Sequence, residues 1–328
     1  MLIYREENFF SGCIFENNNK LCEILVASCQ FGAECACRFS LALRGCNKPL
    51  TSVAFASNQL GDEQLVEVIE ALCMHPQIEK LRLTDVAIGR NECAALANLL
   101  CETSIDPETL DLHNNSIDDE GVDVLVGALP NSRLSALHLS SNPNITERGY
   151  QRLASLLENP NSNLEHLHLF DNHVGDEGAL IFANALATNR KLKELELWLA
   201  GITAKGWSSF PKVLCDTSSI NTTFLSNHTL ECLSHNTTGM PSDVVSLLAL
   251  NRSSEDKKEV AIKKIVKHHN QFDMQPFFEW DLKVLPLAVS WFERARSVVN
   301  DEAGIGKRKL SVIYQFIRAM PEVYEPAQ

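Results

Sequence analysis

An apolar frame returns eight times at a near-constant spacing, and this repetition constrains the fold more than any other feature of the chain. The clearest copy, Leu192 to Ile202, reads LKELELWLAGI and follows the pattern L-x-x-L-x-L-x-x-A-x-I. Other copies start at residues 164, 134, 107, 78, 50 and 21, and a weak copy starts at Ile220. Successive starts lie 27 to 30 residues apart, so each copy is one unit of a stacked array.

Each unit contains a strand signal followed by a helix signal. The frame alternates apolar and polar residues, which is typical of a strand with one buried face. A glycine and a stretch with helical apolar spacing follow it, as in VDVLVGAL after Gly121 and ALIFANAL after Gly178. We place these glycines in the turn before the helix. The ninth frame position is predicted to satisfy backbone groups where the strand ends, through Asn58, Asn115, Asn142 and Asn172.

This strand–turn–helix unit resembles the leucine-rich repeat. Its length of about 28 residues with a full helix is similar to the ribonuclease-inhibitor-like subtype, which also occurs in Ran GTPase-activating protein and NOD-like receptors. The resemblance covers about residues 21–250. It implies an α/β fold: a right-handed α/β solenoid of about eight repeats, with a parallel sheet on the concave side of a horseshoe and helices on the convex side.

Stacked repeats need covered ends, because an open end exposes a slice of the core. We predict an N-terminal extension over residues 1–20, a repeat domain over residues 21–250, and a helical C-terminal cap over residues 251–328. A truncated cap is the alternative for the N-terminal extension. The last part holds the amphipathic stretch KKEVAIKKIVKHH and a dense set of aromatic residues. It resembles the endings of uncharacterised leucine-rich-repeat proteins of algae such as diatoms, which implies no activity. A second binding module is the alternative to a plain cap.

The net charge of −13 is unevenly placed and bears on the partner. Residues 1–250 carry a net charge of −15 and residues 251–328 carry +2. An acidic body repels phosphate backbones, which disfavours nucleic acid and favours a protein with a basic surface. No apolar run is long enough to span a bilayer, so we expect no membrane partner. Eleven cysteines suit reduced thiols in the cytoplasm, with the nucleus as the alternative, and we expect a monomer.

The candidate binding residues come from the frame positions that face away from the core. Side chains at the third, fifth and seventh positions point into the concavity. In the later copies these positions hold acids, histidines and large aromatics. Asp171, which follows the seventh position of its copy, is included with them. Phe170 and Trp198 resemble the aromatic anchors of protein interfaces. The predicted partner-binding set is Asp111, His113, His138, His166, His168, Phe170, Asp171, Glu194, Glu196, Trp198 and Phe224.

The sequence argues against a metal, a cofactor or a catalytic motif. His138 and His168 share a row, and Glu196 follows them, so this trio is a candidate zinc set. Flat parallel rows give poor tetrahedral geometry, however, and we predict no metal site there. The run Gly304–Lys307 is not a phosphate-binding loop, because Arg308 stands where Ser or Thr is required.

These observations favour a non-enzymatic scaffold that binds another protein on its concave face. The first alternative is a GTPase-activating protein of the Ran type, although that family ends its repeats in an acidic tail, and this chain ends in a segment of net +2. The second alternative is an inhibitor of a basic ribonuclease-like enzyme, which the acidic charge of the repeats suggests.

Overall fold

The chain forms two compact units in the computed structural model, which describes residues 2–4, 22–28, 33–58, 62–102, 105–129 and 132–269. The first unit comprises Met1–Ser209 and Cys232–Pro241, and the second comprises Phe210–Glu231 and Ser242–Gln328. The three-part division predicted from the sequence remains a prediction. The aromatic segment beyond residue 269, which was assigned to the helical cap, lies outside the described residues.

The first unit contains one parallel sheet whose strands follow one another in chain order. Strand β1 belongs to the N-terminal extension and pairs with β2, and the next seven strands coincide with the first seven copies of the frame. The α/β repeat fold predicted from the sequence is therefore confirmed. The strands are β1 (Leu2–Tyr4), β2 (Glu23–Ala27), β3 (Ser52–Ala56), β4 (Lys80–Thr84), β5 (Thr109–Asp111), β6 (Ala136–His138), β7 (His166–His168) and β8 (Glu194–Glu196).

The strands pair in the register that the repeat predicts. The leucines at the fourth frame position face one another on successive strands, and each has no exposed surface. Full burial of one leucine side chain stabilises a fold by roughly 1.5–3 kcal/mol. The stacked leucines are Leu81, Leu110, Leu137, Leu167 and Leu195.

A helix follows each strand from β2 to β8, and helices that are neighbours in sequence pack against each other. None of the helices among the described residues is both long and apolar enough to cross a bilayer. The helices of this unit are α1 (Ala33–Gly45), α2 (Asp62–Ala71, continued by the 3-10 turn Leu72–Met74), α3 (Arg90–Glu102), α4 (Asp119–Ala128), α5 (Glu147–Glu158), α6 (Gly175–Leu186) and α7 (Ala204–Trp207).

Two frame positions close the turn that ends each strand. The residue at the eighth position has a positive φ in each of the seven copies that form a strand, from Ser28 (52°) to Leu199 (53°). The ninth-position asparagines are buried, as predicted, and bond to backbone groups of their own and the adjacent repeat. Asn142, for example, donates from Nδ2 to the carbonyl oxygen of Leu112 at 3.1 Å, and its Oδ1 accepts the N–H of Ile117 at 3.1 Å.

The eighth copy of the frame is wrongly placed by the sequence reading. Ile220 begins a helix rather than a strand, because Ser219 and Thr222 form a capping box at its N-terminus. The chain returns to the sheet later, where Cys232 bridges in parallel to Glu194. The apolar pair that matches the frame at this point is Leu230 and Leu233, ten residues beyond the predicted start.

The second unit is helical in its described part. Its helices are α8 (Phe210–Leu214), α9 (Ile220–Leu225), α10 (Ser242–Arg252) and α11 (Lys257–His268). Helix α11 is the predicted amphipathic stretch, but one of its lysines is inside the unit. Lys264 has no exposed surface, and its Nζ donates to the carbonyl oxygens of Leu214 at 2.5 Å and Asn227 at 3.1 Å.

Candidate functional site

One face of the sheet carries the residues that the sequence selected for binding. We call it the open face and define it by the third, fifth and seventh frame positions of β2 to β8. The predicted row at the fifth frame position is confirmed for strands β4 to β8, where neighbouring strands pair in register. Its members are Arg82, Asp111, His138, His168 and Glu196. The parallel register therefore brings together side chains that are about 28 residues apart in sequence.

Two aromatic rings stack at the seventh frame position, just beyond β7 and β8. The ring centroids of Phe170 and Trp198 are 5.1 Å apart and their planes are inclined by 22°. Trp198 is nevertheless 41% exposed. A stacked pair with a large solvent-accessible ring is a rigid apolar surface that costs little conformational entropy to use in binding.

The histidines form a second group on the open face. The rings of His138 and His168 have centroids 4.2 Å apart. Burial lowers the pKa of His138, and the electrostatic interaction with His168 lowers it further. His113 is half-buried, and its backbone N–H donates to Asp111 Oδ1 at 3.1 Å. The neutral form of His138 is therefore more favoured than that of a free histidine side chain.

Glu194 is the centre of the most concentrated group of titratable side chains. Its Oε2 lies 3.2 Å from His166 Nδ1, and its Oε1 lies 3.3 Å from His168 Nε2 and 2.8 Å from His235 Nε2. The contact with His168 lowers the pKa of Glu194 most, burial opposes it, and the contact with His166 adds to the lowering, so that the pKa falls to about 2. The carboxylate is therefore charged at neutral pH.

His235 is a residue that the sequence reasoning missed. The misplaced eighth copy assigned this segment to no strand, so nothing placed His235 beside the open face. The signal that could have found it is the pair Leu230 and Leu233, which restores the frame ten residues later and puts Cys232 next to Glu194.

Glu196 differs from its predicted role as a binding carboxylate. It is only 5% exposed, and both of its oxygens accept backbone hydrogen bonds. Oε1 accepts the N–H of Trp198 at 3.0 Å, and Oε2 accepts the N–H of His235 at 2.8 Å. These bonds hold the aromatic residue and the following segment in place, so the carboxylate is not presented to a partner.

Two further predicted residues do not occupy the frame positions that define the open face. Asp171 is exposed, has a φ of 56°, and accepts a hydrogen bond from Ser141 Oγ at 3.1 Å. Phe224 was predicted on an eighth strand but lies in helix α9 of the second unit. The capping box that starts this helix is the physical reason for the error.

The donor groups that could hold a metal differ from the trio that the sequence suggested. Among the described residues, His138, His168 and Glu196 are not one of the groups whose donor atoms lie within 4.8 Å of one another. Two overlapping sets share Glu194, and the donor atoms within each set lie within 4.8 Å of one another. One set is His166, His168 and Glu194, and the other is Glu194, Glu196, Cys232 and His235.

Comparison with known proteins gives consistent matches to repeat proteins. The family model described as Leucine Rich repeat matches residues 108–126 and 161–183. A ribonuclease inhibitor of Mus musculus is 31% identical over 179 residues, which are 53% of this chain and 38% of that protein. NACHT, LRR and PYD domains-containing protein 13 of Homo sapiens is 30% identical over 183 residues, 54% of this chain and 17% of that protein.

The solved structures that resemble this chain include the tropomodulin C-terminal domain of Caenorhabditis elegans. It has a TM-score of 0.35 and 17% identity, and the match covers 52% of this chain and 86% of that one.

The chain spans only part of the two curated relatives. It covers 38% of the ribonuclease inhibitor and 17% of the NACHT, LRR and PYD domains-containing protein.

Proposed function

We propose that this chain, a leucine-rich-repeat protein of the ribonuclease-inhibitor-like type, binds another protein on the open face of its sheet and does so without catalysis. The observation that carries the proposal is the exposed stack of Phe170 and Trp198. Aromatic residues of this kind are the usual energetic centre of protein interfaces, where charged residues form the rim. The repeat fold supports the proposal, because stacked repeats create extended surfaces for partners.

The charge around the stack favours a partner with a basic surface. Asp171 is exposed beside the stack, and Asp111 is half-buried on the same face. The net charge of −15 over residues 1–250 extends this preference over the whole repeat region. Complementary charge increases the association rate and excludes acidic competitors, including nucleic acid. We further propose that the protein is a monomer and that it acts in the cytoplasm.

The proposal is tested by affinity purification from lysate of the source cells, with mass spectrometry of the bound proteins. The double variant Trp198→Ala, Asp171→Asn removes the exposed ring and the charge beside it, and asparagine tolerates the positive φ at residue 171. The matched control is Leu180→Ala, because Leu180 is 44% exposed but lies on helix α6. Circular dichroism confirms that all variants fold.

We expect a partner that is retained by the wild type and by Leu180→Ala and is lost from the double variant. If the same proteins bind all three, recognition does not use the stack and the proposal fails. The test avoids Glu196, because changing this buried carboxylate would disturb the backbone of Trp198 and His235.

Inhibition of a basic ribonuclease is the second candidate, favoured by the 31% identity to a ribonuclease inhibitor. A nuclease assay separates the two. Inhibition that saturates at one equivalent of the chain and is weakened by the double variant would support this candidate. Unchanged nuclease activity at a large excess of the chain would eliminate it for the enzyme tested.

A further inference from the structure

We infer that His166, His168 and Glu194 form a binding site for a divalent transition-metal ion of the zinc class. His166 and His168 are two residues apart on β7 and therefore project from the same face of the sheet. Glu194 is the residue paired with His166 on β8. Two imidazoles and one carboxylate are a donor set that zinc accepts in proteins. This inference is independent of the proposed partner.

The separations between donor atoms fit one ion. Bonds of 2.0–2.1 Å to a tetrahedral zinc place neighbouring donor atoms about 3.3 Å apart. His166 Nδ1 is 3.2 Å from Glu194 Oε2, and His168 Nε2 is 3.3 Å from Glu194 Oε1. These two distances run to different oxygens of Glu194, but one donor atom from each of the three residues lies within 4.8 Å of the others, which is close enough for one ion to be shared.

Two atoms of this set have an unmet need that an ion would satisfy. His168 Nε2 and Glu194 Oε1 are buried and meet no partner in hydrogen-bond geometry among the described residues, and the atoms nearest to Glu194 Oε1 are imidazole nitrogens, His168 Nε2 at 3.3 Å and His235 Nε2 at 2.8 Å. Buried polar atoms normally have a well-formed hydrogen-bond partner. A cation coordinated by the nitrogen of His168 and the oxygen of Glu194 would satisfy both atoms.

His235 is the nearest candidate for a fourth ligand. Its ring is exposed, and its Nε2 lies 2.8 Å from the same Glu194 Oε1. The second set, Glu194 with Glu196, Cys232 and His235, is the weaker choice because both oxygens of Glu196 already accept backbone hydrogen bonds. Imidazole donors also select against calcium and magnesium, which prefer oxygen ligands.

The test is isothermal titration calorimetry of tag-free, full-length protein, dialysed against chelator and titrated with ZnCl₂. We expect one equivalent to bind to the wild type. Glu194→Gln keeps the shape of the side chain, and we expect it to weaken zinc binding at least tenfold, as we expect of His168→Ala. His173→Ala is the matched control, because it removes an exposed histidine outside the set and should leave the dissociation constant unchanged.

Two outcomes would overturn the assignment. The first is that the wild type takes up no stoichiometric zinc, or that Glu194→Gln and His168→Ala both bind zinc as tightly as the wild type does. The second is loss of binding in Cys232→Ser with full binding in His168→Ala, because that result assigns the ion to the other set. Thermal unfolding with and without zinc gives a second readout. Zinc should raise the Tm of the wild type and of His173→Ala but not the Tm of Glu194→Gln or His168→Ala. The titration contains no partner protein, so a failed partner search does not affect it.

Discussion

Gly149 lies against the carboxylate of Asp119 from the preceding repeat, and its N–H donates to Asp119 Oδ1 at 3.0 Å. The same carboxylate accepts the N–H of Thr146, so a side chain of helix α4 caps the N-terminus of helix α5. Asp176 repeats this arrangement with the N–H groups of Thr203 and Gly206 at the start of helix α7. Capping between repeats therefore couples neighbouring repeats of the first unit through one charged hydrogen-bonded group.

This contact predicts that Gly149→Ala destabilises the chain. A Cβ at this position would lie 2.6 Å from Asp119 Oδ1 and 2.7 Å from Ile145 Cγ2, closer than van der Waals contact. We expect the free energy of unfolding, measured with urea, to fall by about 1–3 kcal/mol.

Gly127→Ala is the matched control, because Gly127 is also helical but has nothing within 4 Å of the added Cβ. It should raise the free energy of unfolding by roughly 0.5–1 kcal/mol, as expected for alanine in a helix. Equal effects of the two substitutions would show that the contact with Asp119 is unimportant.

The buried asparagines predict a second large loss of stability. Asn115 donates from Nδ2 to the carbonyl oxygen of Leu83 at 2.7 Å, and its Oδ1 accepts the N–H groups of Val86 and Ile88 at 3.2 and 3.0 Å. Asn115→Ala leaves these buried backbone groups without partners, and each such group costs about 1–3 kcal/mol. We expect a loss of at least ~2 kcal/mol in urea unfolding, whereas Asn144→Ala, an exposed asparagine, should be neutral. A neutral Asn115→Ala would contradict the role assigned to this ladder.

The fold could be predicted from the sequence because the repeat reports the same environment many times. Seven frames fixed the strands, their order and their buried leucines, as with Leu137 and Leu167. The predicted role of the glycines was only partly right. Gly149 and Gly206 lie in the first turn of their helices rather than in the turn before them, and the space beside the aspartate of the preceding repeat is what requires them. This reason depends on a contact between repeats, which no single unit displays.

The candidate site was less predictable, because rows of residues do not reveal which atoms are satisfied. The row that contains His168 and Glu196 is as predicted. The carboxylate of Glu196 accepts hydrogen bonds from backbone N–H groups. Glu194, at the third rather than the fifth frame position, is instead in contact with three histidines. His235 entered through an irregular return of the chain whose spacing the other copies do not share.

The left-handed residue at the eighth frame position predicts a stabilising substitution. Ser, Asp and Asn fill this position in six copies, but the seventh has Leu199, which has a φ of 53° and is 58% exposed. A left-handed conformation costs leucine roughly 1–2 kcal/mol, and asparagine tolerates it better. We expect Leu199→Asn to raise the free energy of unfolding by about 1 kcal/mol. Leu180→Asn, at an exposed helical site, should lower it slightly, and a destabilising Leu199→Asn would mean that this leucine makes contacts worth more than its strain.

The second unit contains a lysine whose titration links stability to pH. Burial lowers the pKa of Lys264 from its ordinary value of 10.5 to about 7. Between these two values the unfolded chain holds the proton and the folded chain does not. The contribution of Lys264 to stability therefore rises with pH above about 7 and is constant at lower pH. Burial also raises the pKa of Cys215 above its ordinary 9.0, so measurements should stay at or below pH 9.

Lys264→Met should remove this dependence. From pH 7 to 9 the free energy of unfolding of the wild type should rise by about 2 kcal/mol more than that of the variant. Apart from Cys215 and His268, whose pKa values Lys264 lowers, the other groups are common to both proteins, so the difference between the two pH profiles reports mainly on this lysine. Lys258→Met removes an exposed lysine of the same helix and should follow the wild-type profile. Parallel profiles for the wild type and Lys264→Met would show that Lys264 keeps its proton in the folded chain, with the carbonyl oxygens of Leu214 and Asn227 compensating for its burial.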